Sequence, residues 1–145
     1  MGIRHSGREA ALQMLFQMEA SKNPAEIVIG LFWRSFDTHA EGKAYADGIV
    51  RGVEEHLDQI DQEVTTASEH WRLERMSRVD RNILRMGVFE LLHCKDVPGP
   101  VILDEAVELA KAYGTDESSA FVNGVLNRIA DVHNRRETRD PEPEP

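Results

Sequence analysis

The chain has 145 residues, of which 41% are hydrophobic and 30% charged, with a net charge of −9 and a single cysteine. This length suits one domain, or two small ones that share a core, and the composition is typical of a globular protein. These features argue against a general polyanion binder, a bilayer-spanning helix and an internal disulfide, and without an apolar signal-peptide core they predict a cytoplasmic protein.

Charge is unevenly distributed along the sequence. Between positions 37 and 69 acids outnumber bases by nine to two, whereas between positions 70 and 95 bases outnumber acids by six to three. Solvated helix faces of opposite sign explain this pattern as well as a binding surface does. Any contact with nucleic acid is therefore expected to be local.

Helical spacing of apolar residues predicts four helices in the first half of the chain. A capping-box pattern at 6–9, Ser-Gly-Arg-Glu, predicts the start of the first helix. The Asn-Pro pair at 23–24 predicts the start of the second, with Asn as cap and Pro in the first turn. A second capping box at 38–41 opens the third. A fourth, shorter helix carries the apolar residues Leu57, Ile60 and Val64.

Three more helices are predicted in the second half. The fifth runs from near Arg75 to near Lys95, and its arginines fall opposite an apolar stripe. The Asp-Val-Pro-Gly-Pro break at 96–100 separates it from a sixth helix, for which Gly114 takes the C-cap role. The seventh opens at 115–118. No segment shows convincing strand alternation, so the sequence predicts an all-α fold of about seven helices.

Asn123 and Gly124 pose a conflict, because an Asn-Gly pair between apolar residues is a strong hairpin signal. The flanking apolar residues nevertheless recur at helical spacing, and there are no strands for a hairpin to join. We therefore predict a helix that contains both residues. A glycine inside a helix costs about 1 kcal/mol relative to alanine, so we expect Gly124 to mark a close helix crossing.

Glu90 is the one acidic residue with an unusual position. On the helical wheel it falls within the apolar stripe of the fifth helix, where a bare carboxylate is costly. It needs a basic partner or the free amides at the start of the sixth helix. We predict a structural clasp, with a catalytic acid as the alternative. The sequence has no H-E-x-x-H, cysteine pair, glycine-rich phosphate loop or G-x-S-x-G, so it suggests neither an enzyme nor a metal site.

Three stretches together resemble the NusB family of bacterial transcription antitermination factors. They are REAALQMLF at 8–16; VDRNILR at 79–85 with FEL at 89–91; and VP at 97–98, ILDEAVELAK at 102–111 and FVNGVL at 121–126. The resemblance, in order and spacing, implies one helical domain at 1–133, made of two small bundles at about 1–68 and 69–133. The tail at 134–145 has no apolar anchor and is predicted to be disordered.

The resemblance also implies a binding function without catalysis or a cofactor. Proteins of this kind bind boxA RNA in nascent ribosomal transcripts together with NusE, a small-subunit ribosomal protein. That heterodimer joins further Nus factors on RNA polymerase and suppresses premature termination. Two alternatives stay open: an RNA-binding module like that of ribosomal RNA methyltransferases, and a helical adaptor that binds only protein. The sequence leaves open whether the free protein is a monomer or a homodimer.

By the same resemblance, one set of residues is expected on the RNA-binding surface: Arg4, His5, Arg8, Gln13, Phe16, Arg85, Glu117, Ser118 and Phe121. Basic side chains would bind phosphates, and aromatic side chains would stack on unpaired bases. Asp80 is expected to contact a protein partner. The residues expected to be structural are Glu90, Asn123 and Gly124.

Several of these assignments have an alternative. Phe16 and Phe121 lie on or beside apolar stripes, so core packing is an equal explanation for both. Gln13 and Ser118 would either read base edges or be solvated. Arg85 would either bind phosphate or neutralise the carboxylate of Glu90.

Overall fold

The computed structural model describes residues 2–35, 42–69 and 71–136, and within these ranges every regular element is helical. The seven α-helices are α1 (Ile3–Ser21), α2 (Ala25–Ser35), α3 (Lys43–Glu55), α4 (Leu57–Ser68), α5 (Arg78–His93), α6 (Gly99–Tyr113) and α7 (Ser118–Val132). A short 3₁₀ helix, Leu73–Arg75, precedes α5. The predicted all-α fold is confirmed. None of the described helices is both long and apolar enough to cross a membrane.

α5 lies at the centre of the molecule, in contact with α1, α3, α4, α6 and α7. Its core face consists of fully buried apolar side chains, among them Ile83, Leu84, Val88 and Leu91. α1 packs against α2, α3 and α5, whereas α4 packs mainly against α5 and α7. α4 therefore packs with α5 and α7, while α5 also contacts α1 and α3, and the division into bundles at about 1–68 and 69–133 stays a prediction.

α1 begins upstream of the predicted capping box at 6–9, so that prediction is wrong. Gly2 is the cap residue, and the backbone N–H of Ser6 donates to its carbonyl oxygen at 3.3 Å. Ser6 therefore lies inside the helix, where it has no free N–H group to cap. The second predicted box, at 38–41, lies outside the described residues.

The start of α2 is capped by a side chain from a neighbouring helix. The N–H of Ala25, the first residue of α2, donates to a carboxylate oxygen of Glu54 on α3 at 2.8 Å. The Pro24 carbonyl oxygen accepts the N–H of Ile27 at 3.1 Å. The helix thus starts one residue later than predicted, and the contact with α3 takes the role assigned to Asn23.

Asn123 and Gly124 lie within α7, so the predicted helix is confirmed and there is no hairpin at these residues. The predicted close crossing at Gly124 is wrong, because a Cβ built there would meet no atom within 4 Å. A close approach occurs instead at Gly52 on α3, where a Cβ would overlap the ring of Phe89 on α5. Asn123 accepts a hydrogen bond from Asn127 at 2.9 Å, so these amides bond along their own helix.

Beyond α7, Arg135 packs back onto the connection between α5 and α6. Its guanidinium donates at 2.7–3.1 Å to three backbone carbonyl oxygens, those of Leu91, Cys94 and Val97. Carbonyls at the end of α5 are thereby satisfied by a residue from the end of the chain. The helical body therefore includes Arg135, which lies past the boundary at 134 from which the sequence predicts disorder. Residues 137–145 lie outside the described ranges.

Candidate nucleic-acid interface

The carboxylate of Glu90 is buried in a charged cluster that joins α1, α3 and α5. Arg8 on α1 donates from Nε to Glu90 Oε1 at 2.9 Å and from Nη2 to Oε2 at 2.7 Å. The hydroxyl of Tyr45 on α3 also donates to Oε2. Arg8 and Glu90 are only 3% and 2% exposed. The structure thus gives Glu90 the basic partner that the sequence required, in place of the amides of α6.

The cluster leaves Arg8 charged but unavailable to RNA. Burial alone would lower the pKa of Arg8, but the hydrogen bond and the negative charge of Glu90 outweigh it and raise the pKa. Burial and the charge of Glu90 also raise the pKa of Tyr45, which therefore keeps the proton that it donates. The assignment of Arg8 to the RNA surface is wrong. It holds the N-terminal part of α1 against α5.

The first turn of α1 presents one accessible guanidinium, that of Arg4. Its side chain is 47% exposed, lies over the ring of Tyr45 at 5.4 Å from the centroid, and donates to Asp96 Oδ2 at 3.0 Å. His5 is more enclosed, and its Nδ1 lies 2.9 Å from Glu105 Oε1. A phosphate that binds Arg4 would therefore replace the carboxylate of Asp96.

The residues expected around the start of α7 divide into exposed and buried ones. Ser118 is 1% exposed, and its Oγ accepts the N–H of Thr115 at 2.9 Å. Its assignment to base reading is wrong, because the hydroxyl is enclosed in the turn that starts α7. Glu117 and Gln13 are exposed, and Phe121 is partly buried against the core. Core packing therefore accounts for part of the Phe121 ring and leaves part of it accessible.

A second charged cluster surrounds Glu19 near the end of α1. Arg85 donates to both oxygens of Asp61 at 2.8 and 3.0 Å and to Glu19 at 3.0 Å, while Arg81 donates to Glu19 at 2.6 and 2.9 Å. Partial burial would raise the pKa of Glu19, but the hydrogen bond and charge of the arginines lower it. Arg85 therefore does not neutralise Glu90, so that interpretation is wrong, while its contact with phosphate stays a prediction. It fastens α5 to α1 and α4.

An apolar groove of about 510 Å³ lies between α1, α2 and the start of α5. Its lining includes Leu12, Phe16, Val28, Leu31, Val79 and Tyr113. Phe16 is 37% exposed, and the guanidinium of Arg78 lies over its ring at 5.3 Å from the centroid. Asp80, next to Val79, has a buried Oδ1 without a hydrogen-bond partner among the described residues. Asp80 follows Val79 in sequence but does not itself line the groove.

Sequence reasoning missed several residues that shape these surfaces. Tyr45 and Asp96 both contact Arg4, and no local pattern indicates either, because they meet it only in the folded chain. Glu19 organises the arginines of α5, and Trp71 is 50% exposed beside further arginines. For Glu19 and Trp71, the only indication in the sequence was the excess of basic residues between positions 70 and 95.

Comparison with known proteins identifies one family. The model of the NusB family matches residues 5–131. A transcription antitermination protein NusB from Sorangium cellulosum (strain So ce56) is 59% identical over 131 residues, which cover 90% of this chain and 94% of the relative. A structure of T. maritima NusB is 40% identical, with a TM-score of 0.79 over 88% of this chain and 90% of that chain. The fold alone also resembles a structure of antitermination factors NusB and NusE in complex with dsRNA, with 24% identity and a TM-score of 0.82 over 90% of this chain and 97% of that chain.

Proposed function

This chain belongs to the NusB family, and we propose that it is a transcription antitermination factor that binds boxA RNA in nascent ribosomal transcripts together with NusE. The family match over residues 5–131 carries the proposal. The S. cellulosum relative supports it, because the chain covers 94% of that protein's length. With further Nus factors on RNA polymerase, the heterodimer would suppress premature termination. This action on nascent transcripts is cytoplasmic.

The proposed activity is binding without a catalytic step. Glu90, the catalytic candidate of the sequence, is held in the core by Arg8 and Tyr45 and is 2% exposed. Among the described residues, no group of three or more His, Cys, Asp or Glu side chains is arranged to hold a metal ion. The chain's own contribution is therefore to present surfaces to RNA and to a protein partner.

The RNA surface is proposed at the N-terminal end of α1, with Arg4 as its phosphate contact. Tyr45 lies beneath the guanidinium and supports it, while Asp96 beside it is the carboxylate that a phosphate would displace. Further candidates on this surface are His5, Gln13, Glu117 and Phe121. A single accessible guanidinium here, in a chain of net charge −9, supports weak RNA binding by the isolated protein and a requirement for NusE.

The apolar groove beside α1 is assigned to the protein partner. Phe16 and Val79 line it, and Leu31 on α2, which is 51% exposed, extends it. A contiguous apolar surface is typical of a protein interface, whereas an RNA surface needs cations that are free to bind phosphate. Asp80, the residue after Val79, remains a proposed contact of this partner, although its Oδ1 is buried and has no hydrogen-bond partner among the described residues. We therefore move Phe16 from the RNA surface to the partner surface, where it joins Asp80.

A salt titration of single-stranded boxA RNA binding, with and without NusE, tests this function. Affinity should fall as salt rises and should increase when NusE is present. Arg4→Gln should reduce the slope of log affinity against log salt by about 0.7, because one phosphate contact is lost. Arg51→Gln is the matched control, since Arg51 is 52% exposed and also paired with an acid, Glu26, but joins α3 to α2.

Three results would count against the proposal in different ways. Undetectable or salt-insensitive binding, even with NusE, would contradict RNA binding itself. If the chain binds NusE but shows no binding of RNA, the protein-only adaptor is favoured. Equal slopes for Arg4→Gln and Arg51→Gln would move the RNA surface away from the first turn of α1.

A further inference from the structure

We propose that the connection between α4 and α5, Trp71–Arg78, is a second RNA contact that binds single-stranded nucleotides flanking the element held at Arg4. We call this segment the 71–78 turn. The inference rests on the proposed function and extends it to a part of the surface that the family resemblance did not assign. It depends on two unpaired guanidiniums and a half-exposed indole on one rigid turn.

Arg72 and Arg75 place two cations at the two ends of one short turn. Both are exposed, and neither side chain has a partner among the described residues. The Arg75 N–H donates to the Arg72 carbonyl oxygen at 3.0 Å, which closes a 3₁₀ turn. Arg72 is the residue before the 3₁₀ helix and Arg75 is its last residue, so the two side chains start about one turn apart. The two guanidiniums are therefore available together to neighbouring phosphates, unlike those of Arg81 and Arg85, which are bound to carboxylates.

Trp71 adds an aromatic surface next to these cations. It is 50% exposed, although large aromatic residues are on average highly buried. Its backbone is fixed, because its N–H donates to the Ser68 carbonyl oxygen at 3.2 Å and its own carbonyl accepts the Ser68 hydroxyl at 2.8 Å. An indole on a fixed backbone with an accessible ring is suited to stack on an unpaired base.

The 71–78 turn is held in shape by contacts to α5 and to the core. Arg81 Nη1 donates to the carbonyl oxygens of Leu73 and Met76, both at 2.9 Å, while other nitrogens of the same guanidinium hold Glu19. The Met76 side chain is 5% exposed and anchors the turn. A turn that is already ordered loses little conformational freedom when a ligand binds.

The turn lies at the opposite end of α1 from Arg4. Arg78 contacts Glu19 at 3.4 Å and lies over the Phe16 ring, whereas Arg4 lies in the first turn of α1. Positions 4 and 19 of one helix are about 22 Å apart. A short RNA bound at Arg4 therefore need not reach the 71–78 turn, but a longer single strand would contact both ends.

The chemistry of the turn favours single-stranded RNA as its occupant. Successive phosphates would satisfy both guanidiniums, and a base between them would cover the indole of Trp71. An acidic peptide would supply carboxylates but would leave the indole without a planar partner. The apolar groove, which suits a protein, is lined by Phe16 and by none of residues 71–78.

The test compares two RNAs with NusE present, one limited to boxA and one that carries single-stranded nucleotides on both sides of it. For the wild-type chain the longer RNA should show a salt slope steeper by about 1.4, because two more phosphates are neutralised. Arg72→Gln/Arg75→Gln should abolish this difference and leave the short RNA unaffected. Trp71→Ala should weaken binding of the longer RNA by about fivefold or more.

Arg34→Gln/Lys111→Gln is the matched control, because it removes two exposed cations on α2 and α6 and should keep the steeper slope. Thermal melting should be unchanged in the two double variants, because all four replaced side chains are exposed. Equal slopes for the two RNAs, or equal losses in the double variant and its control, would overturn the second contact and leave the proposed function intact.

The remaining outcomes separate the inference from the function on which it rests. If the wild-type chain with NusE binds neither RNA, the proposed function fails and the second contact fails with it. If the double variant binds both RNAs normally but loses NusE, the turn belongs to the protein partner and the inference is overturned.

Discussion

Arg8 and Glu90 are both nearly inaccessible to solvent and both charged, and the energetic cost of burying each is offset chiefly by the other. Tyr45 completes the pair with a hydrogen bond to the same carboxylate. Such a pair is sensitive to the loss of one member, because the remaining charge stays buried without compensation. It is less sensitive to the replacement of both members by apolar residues.

Glu90→Ala should lower the free energy of unfolding by about 3–5 kcal/mol, because Arg8 is left as an unpaired buried charge. The double variant Arg8→Met/Glu90→Leu should recover much of that loss. Urea denaturation followed by circular dichroism measures both effects, with Glu108→Ala on the exposed side of α6 as the control. An unchanged unfolding midpoint for Glu90→Ala would refute this role.

Asp96→Asn should strengthen RNA binding by about two- to fivefold, the range expected for losing an exposed ion pair. The reason is that Asp96 competes with phosphate for the guanidinium of Arg4. The salt titration described above measures the change, and Asp58→Asn, an exposed acid in the first turn of α4, is the control. Weaker binding by Asp96→Asn would mean that this carboxylate positions Arg4 and does not compete with RNA.

The sequence shows which side chains are basic or polar, but it does not show what each of them contacts in the folded protein. Arg8 and Arg85 are basic positions of the kind that bind phosphate, yet each is held by acids that lie distant in sequence. Ser118 is polar and adjacent to exposed residues, but the turn before α7 encloses its hydroxyl. Only the tertiary packing decides whether such a side chain faces solvent or a partner.

At the scale of the helices, α3 packs against α5 through Gly52, a residue without a side chain. Gly52→Ala should destabilise the protein by about 1–3 kcal/mol, because its Cβ would overlap the ring of Phe89. Gly48→Ala on the same helix meets nothing within 4 Å and should be neutral or stabilising by up to about 1 kcal/mol. Thermal melting distinguishes the two, and equal shifts would contradict the packing argument.

The junction of α1 with α5 should weaken in acid through Glu19. Because the pKa of Glu19 in the folded state lies below its ordinary value of 4.5, its contribution is complete above pH 4.5 and is lost as the pH falls through the folded-state pKa. Glu19→Gln should therefore be less stable at neutral pH and lose stability less steeply below pH 4.5. Urea denaturation at a series of pH values measures this, and parallel curves for variant and wild type would contradict it.

Periodicity predicted the existence and order of all seven helices but was less reliable at their ends. In α5 the apolar residues recur at helical spacing over the whole helix, so the prediction did not depend on local patterns. In α7 the same kind of apolar spacing outweighed the hairpin pattern at Asn123. The start of α2 is set by Glu54 from another helix, which no local window contains. Likewise Gly124 fitted a close crossing in sequence, while the actual crossing occurs at Gly52.

At the scale of the whole molecule, the proposed RNA surface and the proposed partner groove are separate surfaces that share α1. Phe16→Ala should weaken NusE binding by about tenfold or more, since exposed aromatic side chains often dominate interface energies. It should leave the salt slope for RNA unchanged in the absence of NusE. Isothermal titration calorimetry measures the first effect, with Ile27→Ala, which is 49% exposed on α2, as the control. Normal NusE binding with a loss of RNA binding would return Phe16 to the RNA surface.

The family resemblance rested on ordered motifs across nearly the whole chain, and the match over residues 5–131 agrees with it. What the motifs did not reveal is how the molecule divides its surface. Phe16 lines an apolar groove, and Arg72 and Arg75 have no side-chain partner within the described ranges, because of how the helices pack. Which exposed residues lie together on one surface depends on how the helices pack, and the single sequence does not show that packing.

The contact between Arg8 and Glu90 also constrains the order in which the chain acquires its structure during translation. The two residues are 82 positions apart, so at ordinary elongation rates the arginine leaves the ribosome about 4–16 s before the glutamate. Throughout that interval the nascent α1 carries a charge that the helices already synthesised do not neutralise. The N-terminal half is therefore expected to remain loosely packed until α5 emerges, so that the protein folds late in its own synthesis.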